Sequence, residues 1–366
     1  MKKNMHAAKL LKQLPENDKL HFYYKLCIEN EMDNFFINRK KKAGTNHLQQ
    51  KSDSLDLFFI ANKLEYWCDM LNRSNVLNID YDYPLMEEII RLIHSDKEKY
   101  LSISAIKNYY FILLTLKEPE NEIHFFQLKK NLSADSSAIA ENEEKVLFDY
   151  AQNYCIKRIN KGDSLFLEEL LFLYKEMIHR ELIYESGFFP ASDFKNVITI
   201  ACRTKSFDWA EDFIFQYKEK LEPGIREHVF QYNLASLYYE KGDYDKALEL
   251  LNKVEFTDIY FALGGRSMLM KIYFELNEHD ALNWHLDAFI NYLRRNKLVS
   301  KYQYSVHINF IRFTRKAFQL KSDTEWKSKK ELEKASKKLI EMINQTKEIT
   351  NKAWLEKQLK KIMKED

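Results

Sequence analysis

The stretch Asn233-Leu234-Ala235-Ser236-Leu237-Tyr238-Tyr239-Glu240-Lys241-Gly242-Asp243-Tyr244-Asp245-Lys246-Ala247-Leu248-Glu249-Leu250-Leu251 decides the fold. Two runs of helix-forming residues flank Gly242-Asp243, which predicts helices over 226–241 and 244–254. Gly242 supplies the left-handed turn between them at no steric cost.

The same outline returns on both sides. Phe207-Asp208-Trp209-Ala210 mirrors Tyr244-Asp245-Lys246-Ala247, 37 residues upstream. His279-Asp280-Ala281-Leu282 follows 34 residues after the Lys246-Ala247-Leu248 run. There Asn277 stands for the glycine, and Asn tolerates the left-handed region. Over about 191–290 the chain resembles the tetratricopeptide repeat, whose period is about 34 residues. The motif is a packing device. Small residues at Ala235 and Ala247 let the two helices cross closely, Leu234 and Tyr238 fill the space within the pair, and Tyr244 wedges the second helix.

Working outward, helical spacing predicts further elements over 5–13, 16–42, 52–74, 84–94, 102–117, 120–130, 143–160, 164–182, 192–204, 207–220, 265–276, 279–295, 300–320 and 325–363. Lys161-Gly162-Asp163 joins one pair compactly, with Asp163 or Ser164 as cap. The Ser- and Ala-rich stretch 131–142 reads as a longer loop, and Gly264-Gly265 reads as part of a helix-pair connection. In the helix over 52–74, Leu55, Phe58, Phe59, Asn62, Tyr66, Cys68 and Leu71 mark the expected buried face. Pro84 is placed at a helix start, where its missing amide costs little.

Composition agrees. Seven Gly and five Pro in 366 residues are too few for the frequent turns of a compact β fold. No segment alternates with period two between turn signals, so essentially no sheet is expected. The 45% hydrophobic content is ample for a core, and the 25 Phe and 22 Tyr read as bulky filling between helices. The expected fold class is all-α. The resemblance implies a right-handed α-solenoid of antiparallel helix pairs with a C-terminal capping helix. Its parts are an N-terminal helical segment 1–50, irregular helix pairs 51–130, the repeats 143–320 and a basic C-terminal helix 325–366.

The net charge of +2 sets up no global field toward nucleic acid. The excess is local, with twelve lysines against seven acids in 326–366. Arg39-Lys40-Lys41-Lys42 before Ala43-Gly44 reads as a helix C-terminus rather than a nucleic-acid patch. Cys27, Cys68, Cys155 and Cys202 fit no metal or redox spacing and are expected as buried free thiols. With no apolar run behind the N-terminus and no stretch of about 18 apolar residues, the sequence reads as cytoplasmic, without signal peptide or membrane span.

Phosphate-binding glycine loops, a nucleophile elbow and paired metal-ligand histidines are all absent. No catalytic residue, cofactor or metal is expected. The acids Asp80, Asp82, Glu87 and Glu88 read as helix-start solvation. The resemblance implies instead that the first helix of each pair lines a concave groove for a protein or peptide partner. The positions are Lys195, Thr199 and Arg203; then Tyr232, Asn233, Ser236, Tyr239 and Glu240; then Arg266 and Met270, whose register is open by one residue. Some members of that family grip a peptide's terminal carboxylate with Lys, Asn and Arg. Asn233 matches one such Asn, but Thr199 and Met270 depart from the pattern. Tyr232 and Tyr239 read equally well as packing between helices. The resemblance thus implies a non-enzymatic adaptor. The alternatives are a peptide-sensing regulator of a partner or nucleic acid, and a catalytic role with dispersed residues.

Overall fold

The computed structural model describes residues 11, 19–38, 46–77, 79–133, 141–254, 256 and 258–364. Apart from Leu11, the expected helix over 5–13 lies outside them, as does the basic run at 39–42. The described residues form α-helices, two short 3₁₀ turns and no strand. The sheet-like pairing among them is an isolated bridge between Phe189 and Leu221, where the Phe189 amide donates to Lys220 O at 2.8 Å. The chain divides into two units, residues 1–185 and 186–366, and the division falls inside the span 143–320 read as one run of repeats.

The first unit holds α1 (Lys19–Asn38), α2 (His47–Leu77), α3 (Met86–Ser95), α4 (Lys97–Leu101), α5 (Ser104–Lys117), α6 (Glu122–Leu132), α7 (Glu141–Asn160) and α8 (Phe166–His179). Most neighbours in sequence pack against each other, and α2 also packs on α5. The pair α1–α2 is pinned by Lys19–Glu65 at 2.5 Å and Lys51–Asp33 at 2.6 Å. Phe125 of α6 stacks on Tyr154 of α7 at 5.0 Å, and Phe166 of α8 meets Phe125 edge-on at 5.4 Å. Such aromatic triples bury large area in preferred geometries.

Three expectations are corrected here. On α2 the buried apolar side chains are Ile60, Ala61, Leu64, Trp67 and Cys68, whereas Leu55, Phe59 and Tyr66 are exposed. The apolar positions run nearly all round this helix, so periodicity alone cannot pick the face. Cys27 is exposed; only Cys68, Cys155 and Cys202 are buried. Pro84 lies in a turn before the helix, which begins at Met86 after Leu85 adopts the left-handed conformation.

The second unit holds α9 (Ala191–Arg203), α10 (Phe207–Tyr217), α11 (Arg226–Lys241), α12 (Tyr244–Asn252), α13 (Ile259–Glu275), α14 (His279–Arg295), α15 (Lys301–Ser322), α16 (Lys329–Gln345) and α17 (Lys352–Ile362). One turn geometry recurs at the junctions α9–α10, α11–α12 and α13–α14. Lys205, Gly242 and Asn277 each have positive φ, 58°, 86° and 61°. At each junction the next amide closes the same six-residue loop: Ser206 to Ala201 O, Asp243 to Tyr238 O and Glu278 to Tyr273 O, at 2.8, 2.9 and 3.0 Å. This is the Schellman end, which satisfies orphan carbonyls and stops the helix.

Sequence-adjacent helices pack here too, and α9, α11 and α13 form a row, α9 on α11 and α11 on α13. Ala235, Ala247, Leu251 and Ile272 share one buried cluster, as the packing reading of the two alanines requires. A second cluster joins Phe274, Leu286 and Phe289 to Phe310 and Phe318 of α15 and to Leu339, Ile343, Leu355 and Leu359.

Two more expectations change. The helix expected over 325–363 is two helices, α16 and α17. Thr346 is extended, Asn351 is left-handed, and the connection between them turns the chain. Gly264-Gly265 is not a connection but lies inside α13. The true connection precedes Asp258, whose carboxylate caps α13 by accepting from the Tyr260 and Phe261 amides at 2.8 and 3.0 Å.

Candidate functional site

The row α9–α11–α13 presents side chains at helical spacing to one cavity of about 380 Å³. Lys195 enters from α9, and Tyr232, Ser236, Tyr239 and Glu240 from α11. Gly264, Ser267, Met268 and Lys271 of α13 form one stripe, since positions three, four and seven apart share a helix face. Tyr260 and Leu263 of α13, Gln303 and His307 of α15, and Thr350 and Asn351 before α17 complete the lining.

Close packing builds the wall. A Cβ on Gly264 would meet Tyr232 Oη at 2.5 Å, and one on Gly265 would meet the Phe256 ring at 2.5 Å. The absent side chain at Gly264 lets the hydroxyl end of Tyr232 approach α13, edge-on to Phe261 at 5.0 Å. Over these rings sits the Lys195 ammonium, 5.3 Å from Tyr232 and 5.8 Å from Phe261. The Lys271 ammonium lies 5.5 Å from the Tyr239 ring.

Neither lysine is among the ion pairs of the described residues, whereas Lys19, Lys129, Arg180 and Lys241, at other helix contacts, each pair with a carboxylate. Burial lowers the Lys271 pKa to about 8, with Glu240 opposing. Burial likewise lowers Lys195, opposed by Asp258. His307 falls to about 4 through burial, so it is neutral at pH 7, with Nδ1 3.4 Å from Ser267 Oγ. Burial pushes Tyr232 up to about 12 and raises Tyr239, helped by Glu275 and Glu240. The cavity therefore offers two ammonium groups, hydroxyls and amides on an aromatic wall. One acid, Glu240, stands exposed among its lining residues.

The residues singled out from sequence separate into two sets. Lys195, Tyr232, Ser236, Tyr239 and Glu240 come together. Asn233 does not join them: it is 1% exposed, and its Nδ2 donates to Val229 O at 2.7 Å. Arg203 and Thr199 are exposed and outside the lining; Thr199 Oγ1 donates to Lys195 O. Arg266 lines a different cavity with Leu251, Phe256 and Leu269, its guanidinium 4.0 Å over the Tyr292 ring. Met270 is fully buried in the core. On α13 the lining falls one residue later than Arg266 and Met270, and one residue turns a helix by about 100°. Ser267 and Lys271 thereby take the places expected for Arg266 and Met270. The contributions of α15 and of Thr350-Asn351 have no local signal, because the chain returns there from far along the sequence.

The first unit has a cavity of about 440 Å³ beside Tyr150, Asn153 and Lys157. Two of its cations are already satisfied, Arg158 by Asp163 at 2.7 Å and Lys161 by Glu120 at 2.5 Å. Among the described residues no group of three or more His, Cys, Asp or Glu could hold a metal ion, and no helix is long and apolar enough to cross a membrane. No protein-family model matches this chain, and neither the curated proteins nor the solved structures yield a match.

Proposed function

We propose that this chain is a non-enzymatic adaptor of the tetratricopeptide type, acting in the cytoplasm and binding a protein or peptide segment in the α9–α11–α13 cavity. In this reading residues 191–290 form antiparallel pairs wound into a right-handed solenoid. Support comes from the three Schellman ends at Lys205, Gly242 and Asn277, spaced 37 and 35 residues apart, and from the row of first helices. The observation that carries the binding role is the pair of ammonium groups, Lys195 and Lys271, half-buried on tyrosine rings without a carboxylate partner. An enclosed charge without a counterion costs free energy, and a ligand that supplies one recovers it.

The full chain, immobilised and exposed to extract of its native cells, tests this when run beside a Lys195→Glu, Tyr239→Ala variant with an unchanged circular dichroism spectrum. A protein retained stoichiometrically by the wild type and lost by the variant is the expected result. Equal retention by both would place the interface elsewhere.

A further inference from the structure

Lys271 is set apart by where its side chain ends. The ammonium group lies 5.5 Å from the centre of the Tyr239 ring, the residue is half-buried, and it lines the cavity of about 380 Å³. A lysine nearby shows the contrast. Lys241, on the same helix as Tyr239, meets Glu211 at 2.6 Å, and that hydrogen bond holds its proton and raises its pKa. Lys271 has no such partner. Glu240 stands exposed at the rim, where water screens it. Glu275, one turn further along α13, is engaged by Lys361 at 3.1 Å and by Gln358. The other titratable groups of the lining are Lys195, Tyr232, Tyr239, Tyr260 and His307, and none of them is a carboxylate.

A cation that exchanges water for ring faces, with no carboxylate in return, sheds its proton more readily. Burial accordingly lowers Lys271 to about 8, with Glu240 opposing. About a quarter of it is then free amine at pH 7.5, against about a thousandth of an ordinary lysine at 10.5.

An ammonium has no lone pair to give, whereas a desolvated free amine attacks carbonyl carbons. The lining supplies the rest. Tyr232, Tyr239, Tyr260, Leu263 and Met268 give it apolar surface for the body of a ligand. Tyr239 and Ser267 bring hydroxyls, and burial raises Tyr239 so that it keeps its proton at neutral pH.

We propose that Lys271 is a reactive amine that captures an apolar aldehyde as an imine inside this cavity. The nitrogen lone pair attacks the carbonyl carbon, and a C–N bond forms. One proton passes from nitrogen to the former carbonyl oxygen, by way of a lining hydroxyl or water, and gives a carbinolamine. The second nitrogen proton and the hydroxyl group then leave as water, and C=N remains. Both amine protons depart in that water, no electrons are exchanged and no co-reactant is needed. This reactivity goes beyond the adaptor reading and does not depend on it.

Reductive trapping on the full chain tests it. Benzaldehyde is the apolar probe, and glycolaldehyde carries the same reactive group without an apolar body. Cyanoborohydride fixes each imine as a secondary amine, and peptide mass spectrometry counts the label at every lysine. With benzaldehyde at pH 7.5, Lys271 should react about tenfold or more faster than the median exposed lysine. The factor is smaller than the ratio of free amines because a less basic nitrogen is a weaker nucleophile. The rate at Lys271 should level off above about pH 8, while exposed lysines keep rising toward about pH 10. Glycolaldehyde should show a smaller preference for Lys271.

Label at Lys271 no higher than the median overturns the proposal, as does a Lys271 rate still climbing beyond about pH 9. Faster reaction at Lys195 than at Lys271 overturns the assignment of the nucleophile. An equal preference for Lys271 with glycolaldehyde overturns the apolar class of ligand.

Discussion

The backbone of Gly264 on α13 sits directly beneath the Tyr232 hydroxyl of α11, so close that a Cβ would come within 2.5 Å of the oxygen and 3.1 Å of the ring. In an ordinary helix interior, Gly→Ala stabilises by about 1 kcal/mol. Here the sign should reverse. Gly264→Ala is expected to cost about 1–3 kcal/mol, since the buried ring must leave its place. Tyr232→Phe in the same chain should recover part of that loss, because it removes the nearest clashing atom. Urea midpoints of the two single variants and the double variant measure the coupling. A stabilised Gly264→Ala protein would mean that α11 and α13 do not approach as described.

Ala247 is fully buried where α12 meets Ala235 and Ile272. Ala247→Leu inserts three carbons into a filled space and should cost about 1–3 kcal/mol. Denaturant unfolding read by circular dichroism reports it. An unshifted midpoint would contradict the crossing.

Lys271 titrates at about 8 in the folded chain against 10.5 for an ordinary lysine, through burial. A base whose folded pKa is lowered binds fewer protons folded than unfolded, so stability rises with pH across that window. The destabilisation is complete below about pH 8 and fades as pH approaches 10.5. Lys271→Met should therefore melt higher than wild type at pH 7, and the two curves should converge toward pH 10.5. A Met variant that melts lower at pH 7 would show that Lys271 is held by an interaction the geometry does not contain.

His307 obeys the same sign at lower pH. Burial lowers it to about 4 from 6.5, so the unfolded chain takes up a proton first as the solution is acidified. Stability should fall between about pH 6.5 and 4, with half-buried His285 shifted in the same direction. His307→Gln, which keeps a polar group for Ser267, should flatten that fall in melting temperature. An unchanged slope would remove His307 from the cavity wall.

The sequence by itself determined that the chain is helical and where most helices stop. Those features are local: Gly242 and Asn277 take a left-handed turn because their own side chains permit it, and Asp163 caps a turn within reach of its own backbone. The repeat resemblance also singled out Lys195, Tyr232 and Tyr239, and these three line one cavity. What it did not contain was the rotation of α13. A helix with apolar residues on nearly every side has no preferred face until a neighbour arrives, and Tyr232 chose it by fitting against Gly264. That contact turned Lys271 inward and sent Arg266 to Tyr292. The rest of the lining was decided in the same way, since His307 and Asn351 join Lys271 around the cavity only after the chain has folded back through α15 and toward α17. Contacts across such distances follow from which surfaces pack, and packing is a property of the assembled helices rather than of any one segment.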